Sequence, residues 1–405
     1  MLDAFPLREC RSDAIELVIP NSARNPLSRR PPTKGCDMKS PMTFRQTDGP
    51  LGCLLPLPVL FLALAPSLFA QSPSPALLVL EKSDNALAIV DPATFKIVGR
   101  VPAGPDPHEI VVSSNGQLAY ISNYGGLDSN LNTISVVDVA ARKPLAPVQL
   151  GALHSPHGLH YAGDKLYFTA ETNKIVGRYD PATNSIDWIL GTGQDRTHMV
   201  LADETQNRIF ASNVNSGTIS IIEEVVVPAP GPPPGAAAPP QPQGSARKDS
   251  LITTVPSGRG SEGFDVGINR TELWAANAQD GTVTVIDVAT KKPRLTFPIS
   301  VQRANRLKFT PDGKRVLVSG LGGNQPGSSD APNLVVIDVA THKEIKKFNL
   351  GGGSAGILVL PDGSRAYVAV SAKDKVVAID LQKLEVVAEL PTGKNPDGLA
   401  WAAPR

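Results

Sequence analysis

Three of the six histidines in this 405-residue chain stand at equivalent points of a repeat, in Pro107-His108-Glu109, Pro156-His157-Gly158 and Thr197-His198-Met199. The same point holds Asp397 in Pro396-Asp397-Gly398, Glu262 in Ser261-Glu262-Gly263, Asn305 in Ala304-Asn305-Arg306 and Ala355 in Ser354-Ala355-Gly356. Random placement would put only about 0.1 histidine on such positions. Three neutral imidazoles with a carboxylate at hand suit zinc or copper, with one coordination position left for water or substrate. Asp397 neighbours His108 around the repeat and Glu262 neighbours His198, so either carboxylate could orient an imidazole or serve as an acid/base group. The expected ligand-binding set is therefore His108, His157, His198, Glu262, Asn305 and Asp397, with His108, His157 and His198 as metal ligands. Three readings stay open: hydration of a wet channel, binding of a small molecule or partner, and a functional metal.

Other residue types carry less chemistry. His154 and His160 flank His157 at three residues on either side. Strand alternation turns His160 away, so the three do not make one chelate. His342 reads as a surface residue. Arg196, Arg303 and Arg306 lie near the same repeat point and could clamp an anion, although loop salt bridges explain them as well. Trp188, Trp274 and Trp401 read as strand packing. The chain has no Gly-rich phosphate loop, no Gly-x-Ser-x-Gly elbow and no Cys/His finger spacing, which disfavours those catalytic classes.

The elements that position these residues follow from a second repeated phrase. A β-branched run closes on an acidic residue at Asp91, Asp138, Asp180, Glu223, Asp287, Asp338 and Asp380, spaced 47, 42, 43, 64, 51 and 42 residues apart. A basal period of about 42 is that of a four-stranded propeller blade. In the second repeat the strands are expected at Glu109 to Ser113 (A), Leu118 to Ser122 (B), Thr133 to Val139 (C) and Val148 to Leu150 (D), with Asn-Gly and Asp-Gly turns fixing hairpin register. The N-terminal end supplies strands B, C and D without an A, whereas Gly398 to Ala402 supplies an A without followers. Joining them closes a ring and removes the free edges. The fold class expected is thus all-β: a seven-bladed β-propeller of four-stranded antiparallel blades, closed by the C-terminal strand joining the N-terminal blade. The first residue of each strand A then faces the channel mouth. Insertions fall between strands B and C at Gly125 to Asn130 and at Leu321 to Pro332. A Pro/Ala/Gly-rich insert, residues 228-244, falls between C and D of the fourth blade and reads as an exposed spacer.

Composition agrees. Aromatic residues make up 5% of the chain, and the net charge of +1 becomes −1 once residues 1-70 are set aside, which gives no electrostatic case for nucleic acid. All three cysteines, Cys10, Cys36 and Cys53, lie in that first segment. Residues 1-70 have the anatomy of a leader: basic Lys39 and Arg45, an apolar run from Leu51 to Leu64, and Leu68-Phe69-Ala70 before Gln71 as a cleavage site. Pro56, Pro58 and Pro66 break the run too often for a membrane span. Met38 and Met42 offer later starts, so residues 1-37 are expected to lie upstream of the native one. Residues 71-405 are then one propeller domain, expected to be a monomer in the periplasm or outside the cell, with no stable membrane span after cleavage.

Ala119-Tyr120-Ile121-Ser122-Asn123, Thr218-Ile219-Ser220-Ile221-Ile222, Thr282-Val283-Thr284-Val285-Ile286-Asp287 and Asp312-Gly313-Lys314-Arg315 resemble the repeats of the YVTN-type β-propeller proteins, a WD40-like group of exported bacterial and archaeal proteins. The resemblance covers residues 76-403. More distantly, the chain resembles seven-bladed lactonase-like enzymes and the copper-bearing propeller of nitrous oxide reductases. It implies the fold and export; chemistry has to come from the site. The function expected is an extracytoplasmic binding or scaffolding module that meets a small molecule or a protein at its channel-mouth face. The alternatives are a metal-assisted, lactonase-like hydrolase and a metal-binding or redox partner protein using the same histidines, with zinc or copper as the cofactor.

Overall fold

The structure, a computed structural model, describes residues 75-127, 129-227, 247-322 and 331-403. The segment expected to be a leader, the insert at 228-244 and most of the Leu321 to Pro332 insertion lie outside them. The described residues form seven four-stranded antiparallel sheets. Blade 1 takes its inner strand from the end of the chain, Pro396–Ala402, followed outward by Ala76–Glu81, Ala86–Asp91 and Lys96–Pro102. The inner strands of blades 2 to 7 are Pro107–Val112, Pro156–Ala162, Thr197–Asp203, Ser261–Val266, Ala304–Phe309 and Ile357–Val359. Ring closure is a ladder in which Leu77 pairs with Trp401 and Val79 with Leu399.

Each blade is covered on both faces by its neighbours, so the middle strands read as unbroken apolar runs. Leu77 to Leu80 and Leu334 to Ile337 are fully buried. The core lies between blades rather than within one. Trp274, Val283 and Val285 of blade 5 pack on Leu307, Val316, Val318 and Val335 of blade 6. Across the closure, Leu77, Val79 and Val90 pack on Tyr367, Val376 and Ala378 of blade 7.

The acidic anchors end strand C because they cap the turn that follows. Asp91 Oδ1 accepts the Ala93 N–H, Asp138 Oδ1 that of Ala141, Asp287 Oδ1 that of Thr290 and Asp338 Oδ1 that of Thr341. This is the Asx turn, in which a short carboxylate holds the chain reversal. Glu223 departs from the rule. Its longer side chain pairs with Arg208 and Lys291, and the strand runs on to Val227, pairing with Arg247–Pro256 in a ten-residue hairpin. The outer strands also differ from expectation: in blade 2 the outer strand is Lys143–Gln149 and begins directly after the turn. One face of an outer strand meets solvent, so Lys143-Pro144-Leu145 carries no apolar alternation to read. His342 is a second difference, since its ring stacks on Trp274 at 5.4 Å. Among the described residues no helix is long and apolar enough to cross a membrane.

Candidate functional site

The first residues of the inner strands are placed by a repeated irregularity. Register slips between Pro107 and Ile110, Pro156 and Leu159, Thr197 and Val200, Ser261 and Phe264, and Ala304 and Leu307. A bulge of this kind re-aims the side chain within it, here His108, His157, His198, Glu262 or Asn305. A hydroxyl on strand B pins the bulge. Thr169 Oγ1 accepts the Gly158 N–H at 2.8 Å and donates to the His198 carbonyl of the next blade at 2.6 Å. Ser212 does the same between Met199 N–H and Glu262 O, and Ser319 between Arg306 N–H and Ala355 O. The inner strands lie so close that a Cβ on Gly158 would collide with the His198 carbonyl, and one on Gly263 with that of Asn305. Small residues follow the site residues there for that reason.

The three imidazoles come together. Ring centroids are 4.4 Å apart for His108 and His157, and 3.7 Å apart for His157 and His198. Each outer imidazole has a carboxylate partner. Asp397 Oδ2 lies 3.1 Å from His108 Nδ1, near enough for an ion pair but out of line for a hydrogen bond. His198 Nδ1 forms a short contact with Glu171 Oε1, and its Nε2 lies 3.0 Å from Glu262 Oε2 without hydrogen-bond alignment. Asn305 donates to Glu262 at 3.3 Å. Thus all six expected residues form one connected cluster; Ala355 fills the seventh position without a polar group.

His157 is the unusual member. It is fully buried between the other two rings, and neither ring nitrogen has a hydrogen-bond partner. Buried polar atoms are nearly always paired with protein or a bound species. Ligand atoms of His108, Glu109 and His157 lie within 4.8 Å of one another, and so do those of His157, Glu171 and His198. The imidazoles therefore divide into two overlapping sets that share His157.

Electrostatics separates the rings. Burial, aided by Lys82, pushes His108 down to about 3, and burial with the neighbouring imidazoles holds His157 well below the ordinary range. Both are neutral and able to act as ligands. For His198 burial works the same way but is outweighed by the Glu262 and Glu171 carboxylates, so its pKa is raised. Burial raises Asp397. Glu262, against the pull of its own burial, is driven down to about 2 by His198 and the arginines Arg196 and Arg306.

Four further residues complete the site. Tyr124 lies edge-on to His108 and His157, with centroids at 5.1 and 4.7 Å, and its hydroxyl donates to Glu171 Oε2 at 2.5 Å. Tyr124, Glu171 and Lys82 all follow directly on, or end, their strand B. The equivalent positions in the other blades are Val214, Ala278, Leu321 and Ser371, so aligning this second column would have exposed four successive polar residues, Ser371, Lys82, Tyr124 and Glu171, overlapping the histidine arc. Arg306 is no ordinary loop arginine. It is 5% exposed, and its Nη2 makes a short contact with Glu109 of blade 2 across the channel.

No protein-family model matches the sequence, and no curated protein matches it. Solved structures match the ring. Hydrazine synthase of Kuenenia stuttgartiensis is 18% identical over 73% of this chain and 89% of that one, with a TM-score of 0.56. The dihydro-heme d1 dehydrogenase NirN, solved in complex with DHE, is 16% identical over 80% of this chain and 74% of that one, with a TM-score of 0.54. A Bacteroides fragilis protein provisionally named a 6-phosphogluconolactonase is 13% identical over 82% of this chain and 99% of that one, at 0.59. Likeness at these identities shows the fold: the chain is a seven-bladed β-propeller.

Proposed function

We propose that the protein is an exported binding module that takes a small ligand at its channel mouth through His108, His157, His198, Glu262, Asn305 and Asp397. The observation that carries this reading is His157, fully buried with two unpartnered ring nitrogens in the middle of a convergent polar arc. Rigid scaffolds carry binding on such concave clusters of polar groups. The leader supports a periplasmic or extracellular setting. A thermal-shift screen of the purified protein against hydroxy acids, lactones, sugar phosphates and divalent cations tests the reading. A ligand should stabilise the wild type and not Glu262→Gln or His157→Asn; equal stabilisation of all three, or none of any, overturns it.

A hydrolytic reading has one observation of its own, the Asp397 carboxyl raised by burial beside a neutral His108 at 3.1 Å. Such a pair suits acid/base work. Turnover of a lactone by the wild type, lost in Asp397→Asn with the fold intact, is the result it requires.

A further inference from the structure

We propose that His108, Glu109 and His157 form a site for one divalent transition metal of the zinc class; this deepens the binding reading above and rests on it. The ligand atoms of the three residues lie within 4.8 Å of one another, so an ion with bonds of about 2 Å needs only side-chain rotation to close on all of them. Both nitrogens of His157 have no hydrogen-bond partner. Buried ring nitrogens without a protein partner are available to ligate an ion.

The competing set, His157, Glu171 and His198, is already committed. Glu171 holds His198 Nδ1, the Tyr124 hydroxyl and Arg196 Nε at 3.4 Å. An ion there would have to displace the His198 contact on Oε1 or compete with the Tyr124 and Arg196 contacts on Oε2. At the favoured set only the Arg306 contact to Glu109 must yield, and Arg306 retains the Asn305 carbonyl at 3.3 Å and Glu262 at 3.9 Å. Asp397 beside His108 supplies the carboxylate that commonly orients a metal-bound imidazole. The side chains of His108 and Glu109 are 15% and 14% exposed, which leaves an entry path and a position for water. Two imidazoles and a single carboxylate favour zinc-class ions over calcium or magnesium, which take oxygen ligands.

Isothermal titration of the full-length, chelator-stripped protein with zinc chloride tests the assignment. One zinc per chain is expected, weakened by at least about 100-fold in His157→Asn and in His108→Ala, by about tenfold in Glu109→Gln, and by less than about threefold in His198→Ala. Absence of zinc binding, unchanged binding in the His108 or His157 variants, or loss in His198→Ala equal to that in His157→Asn overturns it. Should the histidine variants not fold, imidazole 15N shifts of the wild type decide. Zinc must move His108 and His157 and leave His198 in place; any other pattern sinks the site. If zinc fails while an organic ligand still protects the mouth, the binding reading stands and the metal falls; if neither binds, both fall.

Discussion

Arg306 of blade 6 reaches Glu109 of blade 2 across 197 residues of sequence, beside the first histidine of the arc. The guanidinium and carboxylate are 6% and 14% exposed, so each is the other's main compensation for lost hydration. Removing one partner of such a pair strands the other charge. Arg306→Met should therefore cost about 3 kcal/mol in urea unfolding of the metal-free protein, whereas Arg306→Met with Glu109→Gln should recover more than half of the loss. An equal cost for single and double variants would show that the residues act by packing alone.

Ring closure rests on the last strand. Ala400 and Ala402 lie in one core cluster with Leu78, Leu80 and Ile121, and among the described residues the strand's ladder to Ala76–Glu81 is the pairing that covers blade 1 on its channel side. Deleting residues 395-405 should lower stability by on the order of 5 kcal/mol and broaden the calorimetric transition. A synthetic peptide of those residues should restore part of the loss by adding back the strand. An unchanged melting temperature after truncation would contradict the closure.

Much of this ring was legible because one strand per blade repeats its chemistry. The acidic anchors have a local cause, the Asx turn, and local causes survive in sequence. Outer strands such as Lys143–Gln149 were not legible, because a strand with one solvated face and no fixed composition leaves no period. Blade 4 hid its continuation past Glu223 for the opposite reason: the anchor residue is present, but a glutamate carrying ion pairs does not turn the chain. The column of site residues was visible from repeat alignment. Tyr124 and Glu171 were not found, since they belong to a second column one strand away. The Arg306–Glu109 contact depends on the ring having closed, and no local pattern encodes it.

Acid should weaken the metal-free protein in two stages. His108, lowered to about 3, and His157, lowered well below 6.5, stay neutral in the fold, whereas their unfolded counterparts take protons below about pH 6.5. The unfolded state then binds more protons, so stability falls with pH at up to about 1.4 kcal/mol per pH unit for each imidazole. Below the ordinary 4.5 of a glutamate, Glu262, folded at about 2, adds a loss of the same sign. Asp397, raised by burial, opposes it as pH nears 3.8. Calorimetry from pH 7 to pH 3 should show a decline that begins near pH 6.5 and is shallower in His108→Asn. A flat profile down to pH 5 would mean that the imidazoles are hydrated.

His198 should respond to Glu171 with a reversal of sign. Its pKa is raised although burial works to lower it, because Glu262 and Glu171 flank it on opposite ring nitrogens. Its contribution to stability is therefore complete below the unfolded value of 6.5 and is lost as pH rises through the folded one. Glu171→Gln removes one carboxylate charge and keeps the burial, so the imidazole should fall below 6.5. The contribution then changes direction, being present at pH 8 and lost as pH falls. The stability gap between wild type and variant should accordingly widen between pH 8 and pH 5.5. Tyr124→Phe, which removes only the hydroxyl bonded to Glu171, should shift His198 far less. Proton NMR titration of the His198 ring, paired with melts at the two pH values, gives both readouts. A His198 that titrates alike in wild type and Glu171→Gln would show that Glu262 alone sets its charge.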